Sequence, residues 1–194
     1  MGNEDESMLF EMTGSDFNIP QFQECVLEEV PQAVRDQISD EAVRLQEVAQ
    51  PTLLRRPVLL DFGGHGKTYL LAYHQIKQVE GYETRDKAIY AVDLSENEEV
   101  MGYGVSLLDL DDNDQEKDGP PFVQWTSTSQ EFAKRGLGVR RLIILNEANK
   151  FFFNHLMSSG SFTGDNPAAQ LAWERLVRHG MAVKDEDGSY RFIK

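Results

Sequence analysis

At 194 residues, 40% of them hydrophobic and 27% charged, the chain has room for one domain of roughly 150 residues and an extension. No apolar run approaches the ~20 residues that cross a bilayer, and the lone cysteine, Cys25, excludes an intrachain disulfide and points to a reducing, cytoplasmic setting. A formal net charge of −14 argues against direct binding of nucleic acid, because phosphate needs a concentrated basic surface.

That charge is uneven. Residues 1–49 hold twelve acids and two bases, whereas the remainder holds 21 acids and 17 bases. The sequence therefore divides into an acidic N-terminal extension with helices, 1–50, and a nearly balanced domain, 51–194. Residues 1–19 lack a basic segment followed by an apolar core, so they read as a loose acidic arm and not as a secretory signal. A solvated arm is the plain reading of its charge; a partner-binding arm or an imitation of a nucleic-acid backbone is the sharper one.

Pro20 and Pro31 break the next stretch, where Val26, Leu27, Val30, Val34 and Ile38 have helical spacing. Ser39-Asp40-Glu41 reads as a cap opening a helix through Val48, with Pro51 closing it. Strands follow. Pro57–Phe62 and Thr68–Val79 flank Gly63-Gly64-His65-Gly66-Lys67, a hairpin connection. A nucleotide loop is the alternative there, but the phosphate-loop pattern needs glycine at position 61 and Asp61 stands there.

Ala88–Leu94 and Val100–Leu110 flank a second hairpin turn, and an acidic loop from Asp111 to Gly119 leads to the strand Phe122–Thr128. A glycine-containing turn then opens a helix from about Leu137 to Asn154. Leu156–Ser159 reads as a short strand. Pro167 stands at the first position of a helix from Asn166 to His179, which Gly180 ends. Met181–Lys184 and Ser189–Ile193 flank Asp187-Gly188, a strong hairpin signal.

The turn Ala133-Lys134-Arg135-Gly136-Leu137-Gly138-Val139-Arg140 carries the chemistry. Glycines at a strand-to-helix turn let backbone approach a ligand, first-turn N–H groups are free, and the helix dipole favours an anion there. The backbone of Gly136, Leu137, Gly138 and Val139 would face phosphate, with Arg135 and Arg140 adding charge. No histidine or cysteine spacing makes a metal site, and no Ser/His/Asp arrangement is visible.

This turn, followed by Asn166-Pro167-Ala168-Ala169-Gln170-Leu171-Ala172-Trp173-Glu174-Arg175-Leu176, resembles the GNAT superfamily of acetyl-CoA-dependent N-acetyltransferases over about residues 86–194. The first segment is similar to that family's pyrophosphate loop, Q/R-x-x-G-x-G/A, with Ala133 at the leading position. The second is similar to its later helix, N-x-x-A-x-x-x-Y-x-x-L, with Trp173 in place of the tyrosine.

The resemblance implies an α/β domain with a mixed, mostly antiparallel central sheet flanked by helices, and acetyl-CoA as cofactor. It implies that Ser127 and Thr128 lie on a splayed strand whose main chain pairs with the pantetheine arm, and that Asn166 and Trp173 contact that arm. The acceptor would be a small-molecule or protein amine. The usual general acid is missing, since an indole N–H does not titrate usefully. No catalytic residue is assigned; Gln124 stands near where several members carry Glu, and Asp109, Glu131 and His155 are the nearby titratable residues. Ala133 and Trp173 also fit a non-catalytic protein that keeps the scaffold, and the acidic extension fits an inhibitor that imitates nucleic acid. The acceptor and the oligomeric state stay open.

Overall fold

The computed structural model describes residues 19–44, 48–79, 82–133, 136–160 and 167–194. A seven-stranded sheet forms the centre. Its long middle is a meander of β4 (Lys67–Val79), β5 (Tyr82–Leu94), β6 (Val100–Leu110) and β7 (Phe122–Thr128). The outer edge of β4 carries two strands end to end. β3 (Val58–Asp61) pairs with Lys67–Leu70, and β2 (Val48–Leu53) pairs with residues from Tyr73 to Lys77. β1 (Gln23–Glu24) extends β3, and all these pairings are antiparallel.

Alternation along the strands gives the sheet two apolar faces. On one face Tyr69, Leu71, Ala88, Tyr90, Val92, Tyr103, Val105 and Leu107 pack with Val30, Val34 and Ile38. Val34 and Ile38 belong to α1 (Gln32–Arg44), one turn apart. Burying each such side chain contributes about 1.5–3 kcal/mol, which fixes this otherwise polar helix to the sheet.

On the other face Leu70, Ala72, Ile89 and Ala91 meet α2 (Leu137–Phe153). This helix is buried on most of its surface. Its outer side carries α3 (Pro167–Arg178) and the hairpin β8 (Ala182–Lys184) and β9 (Tyr190–Phe192). Its polar residues are bonded accordingly. Asn149 Nδ2 donates to Ser106 Oγ at 2.8 Å, and Asn146 Oδ1 accepts from the Met157 N–H at 3.0 Å. The α/β class, the mostly antiparallel sheet and its flanking helices are as the sequence leads one to expect.

Several expectations are corrected. Ser39-Asp40-Glu41 does not open a helix. It lies within α1, whose start is set by Pro31: the Pro31 carbonyl accepts from the N–H groups of Val34 and Arg35 at 3.1 and 3.2 Å. Residues 48–53 are then a strand, drawn to the open edge of β4. Pro51 is tolerated because it stands at the register shift between Ala49 and Thr52, where no ladder donor is required.

The boundary expected at residue 50 therefore falls inside β2, and residues 23–44 share the sheet and its core with everything downstream. Residues 1–18, which hold most of the expected acidic arm, lie outside the described residues. The short strand expected at Leu156–Ser159 reduces to one bridging residue, Ser158. Among the described residues, no helix is long and apolar enough to cross a membrane.

Candidate anion-binding site at the start of the long helix

β7 pairs with β6 along one edge. On its other edge, among the described residues, it is held at a single parallel bridge, Phe122 to Ser158. The Val123 N–H donates to the Ser158 carbonyl at 3.0 Å, and the Ser158 N–H donates to Pro121 at 2.8 Å. Immediately afterwards the 157–159 segment turns to β9, where Ser159 donates to Tyr190 at 2.7 Å and Phe192 donates to Met157 at 3.0 Å. The two segments thus meet at the start of β7 and not along its length. Where they part, β7 is bulged: Val123 faces Ser106 and Trp125 faces Val105, leaving Gln124 without a register partner.

From Thr128 the chain passes through a short turn at Gln130–Phe132 and reaches Gly136 in the left-handed region, φ 75°. Gly136 caps α2, which begins at Leu137. The Leu137 and Val139 side chains are buried, so only their backbone can face a ligand. A Cβ added at Gly138 would meet nothing within 4 Å. The first turn of α2 therefore presents open backbone beside the end of β7. Lys134 and Arg135, in the same turn, lie outside the described residues, as does Asn166.

Beneath this turn lies a buried charge cluster. Asp93 on β5 is fully buried, and its Oδ2 accepts from Arg141 Nε and Nη2 at 2.9 and 2.6 Å. Its Oδ1 accepts from Thr68 Oγ1, on the register partner in β4, at 2.7 Å. Arg141 is fully buried as well. Its Nη1 donates to the Ser127 carbonyl at 2.7 Å and to Thr128 Oγ1 at 3.3 Å. Gly102 and Gly104 on β6 make the room: a Cβ at Gly104 would stand 2.8 Å from Arg141 Cδ, and one at Gly102 would collide with Arg141 and Ser127.

Arg140 shares the same carboxylate only at long range. Its Nη2 lies 4.0 Å from Asp93 Oδ1, with a side chain just 11% exposed. The guanidinium stacks over Phe62, 4.6 Å from the ring centre, and Nη1 donates to the His65 carbonyl at 3.3 Å. Nε and Nη2 are buried with no hydrogen-bond partner. Burial, and then the neighbouring Arg141 charge, push the Arg140 guanidinium below its usual range, against the pull of Asp93. Two arginines thus draw on one carboxylate in the first turns of a helix, where the dipole already favours negative charge. The local excess is positive, and the arrangement favours an anion.

The other expected residues are placed elsewhere. Trp173 is 2% exposed. It stacks on Tyr190 at 5.8 Å and meets the edge of Phe192 at 5.2 Å. It is a core residue joining α3 to the terminal hairpin, with no open face toward β7. Of the nearby titratable residues, Asp109 and Glu131 are exposed, as is Gln124, and His155 is joined to Glu116 at 2.9 Å. The glycine segment at 63–66 is the β3–β4 hairpin connection, with Gly66 at φ 88°, where a Cβ would collide with the Leu94 carbonyl. Among the described residues no three His, Cys, Asp or Glu side chains group as metal ligands.

Asp93, Thr68 and Arg141 were not singled out by the sequence. The available signal was a carboxylate closing the apolar run Ala88–Leu94, and a second arginine on the apolar side of α2. Comparison with models of known protein families, with curated proteins and with solved structures finds no match for this chain. Its function is therefore argued from the geometry.

Proposed function

We propose that the chain is an N-acetyltransferase that binds acetyl-CoA at the start of α2 and transfers the acetyl group to an amine. The observation that carries this reading is the buried Arg140 guanidinium in the first turns of α2, whose Nε and Nη2 have no hydrogen-bond partner. An anion of pyrophosphate type would meet the backbone N–H groups from Gly136 to Val139 there, and it would offset the local positive excess. The single-point contact between β7 and the 157–159 segment supports the same reading, because among the described residues it leaves the rest of that edge of β7 without a strand partner, where an extended, amide-bearing arm could pair.

Acetyl-CoA would supply the acetyl group already activated as a thioester. The bulge at Gln124 turns main chain out of the ladder, where an N–H would polarise the acyl carbonyl. The attacking amine must be neutral; as the new amide bond forms and the thioester C–S bond breaks, the amine's proton would leave to solvent and CoA would depart as the thiolate. Ser127 would contribute backbone only, with its carbonyl already engaged by Arg141. Trp173 is read as packing. A binding protein without turnover is the second reading, favoured by the burial of Trp173 where a proton donor would otherwise stand.

The test is Gly138→Glu. The site is open, so the side chain is accommodated, and an acidic residue in the first turn of a helix is favourable for stability. The variant should fold and lose acetyl-CoA affinity by well over about tenfold, through charge repulsion at the phosphate position. Calorimetric titration reads this directly. Unchanged affinity in the folded variant would remove the assignment. Release of CoA with a panel of amines then separates the enzyme from the binding protein.

A further inference from the structure

One register row crosses four strands beneath the first turns of α2. Thr68 on β4 lies opposite Asp93 on β5, Asp93 opposite Gly102 on β6, and Gly102 opposite Thr128 on β7. The Arg141 side chain lies over this row. Its Nε and Nη2 donate to Asp93, and its Nη1 donates to the Ser127 carbonyl at 2.7 Å and to Thr128 Oγ1 at 3.3 Å. Glycine at 102 admits it, since a Cβ there would collide with both Arg141 Nη2 and the Ser127 carbonyl. Holding the strands together does not require this arrangement. An apolar row often packs as well as a buried ion pair or better, and glycine inside a strand weakens it. What an apolar row cannot do is bond the Ser127 carbonyl.

The other side of that peptide is the open edge of β7. The Ser129 N–H donates to the Met101 carbonyl at 3.0 Å, so Ser129 faces β6. Successive residues of a strand turn their N–H groups to opposite edges, so Thr128 turns its N–H away from β6. On that side, among the described residues, β7 is held only at the bridge from Phe122 to Ser158. Thr128 itself is half-buried and within reach of a ligand. The Ser127 carbonyl and the Thr128 N–H belong to one planar trans peptide and point in opposite directions. A guanidinium bonded to the oxygen therefore draws electron density from the N–H and strengthens it as a donor. Asp93 cancels the Arg141 charge at a distance, so the effect is local to the bonded peptide.

We propose that Arg141 is a positioning residue that fixes and polarises the Ser127–Thr128 peptide, so that the Thr128 N–H becomes the donor to a second phosphate beside the one at the start of α2. The first phosphate is the one met by the backbone from Gly136 to Val139. Arg141 stands in the second turn of α2, so a single side chain links the two sets of donors. A charged acceptor gains most from a polarised donor, and the pair of donor sets therefore selects a diphosphate over a monophosphate. That this diphosphate is the one in CoA rests on the acetyl-transfer reading; the role of Arg141 does not.

The test is titration of the full chain with ADP and with AMP, which share adenosine and differ by one phosphate. The wild type should prefer ADP. Arg141→Lys keeps the charge opposite Asp93, but one ammonium cannot serve both Asp93 and the Ser127 carbonyl as the planar fork does. It should narrow the ADP-to-AMP affinity ratio about tenfold, the loss of one bond to a charged acceptor. A role confined to holding the core would weaken both nucleotides alike and leave the ratio unchanged. Thr128→Val removes only the Oγ1 bond and keeps the N–H, so its ratio should equal that of the wild type. A second measurement needs no variant: ADP, and not AMP, should move the Thr128 amide proton downfield in a nitrogen–proton correlation spectrum.

An unchanged ratio in folded Arg141→Lys would overturn the proposal, as would a Thr128 amide that ADP leaves in place. A ratio lost in Thr128→Val would give the role to the hydroxyl and overturn it too. If Arg141→Lys does not fold, the amide shift in the wild type decides. An ADP preference that depends on Arg141, without binding of CoA, supports the proposal and removes the acetyl-transfer reading. Normal CoA binding without any preference for ADP removes the proposal and leaves that reading standing.

Discussion

Asp93→Asn tests whether the buried cluster is held by charge. The native carboxylate accepts two short bonds from Arg141 and one from Thr68, all out of reach of solvent. The amide keeps one acceptor and turns a donor toward either Thr68 or a guanidinium. More importantly, it strands the Arg141 charge, with Arg140 adding a second positive group nearby. Removing one partner of a buried pair costs about 3–5 kcal/mol. In a protein of this size each kcal/mol moves Tm by about 2–4 °C, so the variant should melt roughly 6–20 °C lower. Arg141→Met should rescue it in part: the double variant removes the charge stranded on Arg141 and leaves only that of Arg140, and the two substitutions should couple by about 2 kcal/mol or more. Urea denaturation of the four proteins measures the cycle. A loss below about 1 kcal/mol in Asp93→Asn would refute the reasoning, because it would mean that solvent or backbone compensates the guanidinium.

Two further outcomes follow from the placement of other residues. Trp173→Ala should cost about 3–5 kcal/mol, since the stack on Tyr190 and Phe192 leaves a cavity, whereas Trp173→Phe should lower Tm modestly and leave acetyl-CoA affinity unchanged; lost affinity in the folded Phe variant would place the indole at the ligand after all. Glu116 is joined to Lys87 at 2.7 Å and to His155 at 2.9 Å, and those contacts hold its carboxyl below the ordinary range. A depressed carboxyl adds stability above the unfolded pKa and loses it as pH falls through the folded one, so Glu116→Gln should melt slightly below wild type near neutral pH, with the gap closing as pH falls through the depressed value; a gap that stays constant down to the most acid pH would show that packing and not charge sets the effect.

Most elements from Ala88 onward were legible because period and punctuation agree there; the exceptions are β5, which begins at Tyr82 and not Ala88, and Leu156–Ser159, which is a single bridge. Val100–Leu110 and Phe122–Thr128 are strands over those spans, and Asp187-Gly188 turns the last hairpin. Pro167 and Gly180 bracket α3. Upstream the local signals conflict. Ser39-Asp40-Glu41 is a sound capping sequence, yet Val34 and Ile38 bury against the sheet only if the helix has already begun at Gln32. The segment 48–53 has weak preference of its own, and what decides it is the unpaired edge of β4, which is a long-range fact.

The candidate site divides along the same line. The glycine turn was readable because it is local: strand end, left-handed Gly136 and helix start lie within a few residues. The charge cluster was not, because it depends on register. Thr68 meets Asp93 only through the β4–β5 pairing, and Arg141 reaches both only because Gly102 and Gly104 clear one face of β6. Arg140 and Arg141 are adjacent in sequence and would pass for one basic patch. A helix turns about 100° per residue, so one guanidinium is driven into the sheet onto Asp93 while the other is carried to Phe62 and His65. The first arginine is neutralised; the second keeps donors without partners. If both were merely structural, a second carboxylate beside Arg140 would be the cheaper solution, and the carboxylate that Arg140 senses among the described residues, Asp93, is already committed to Arg141. The asymmetry within that pair, rather than the glycine pattern, is therefore the stronger reason to look for an anion at the start of α2.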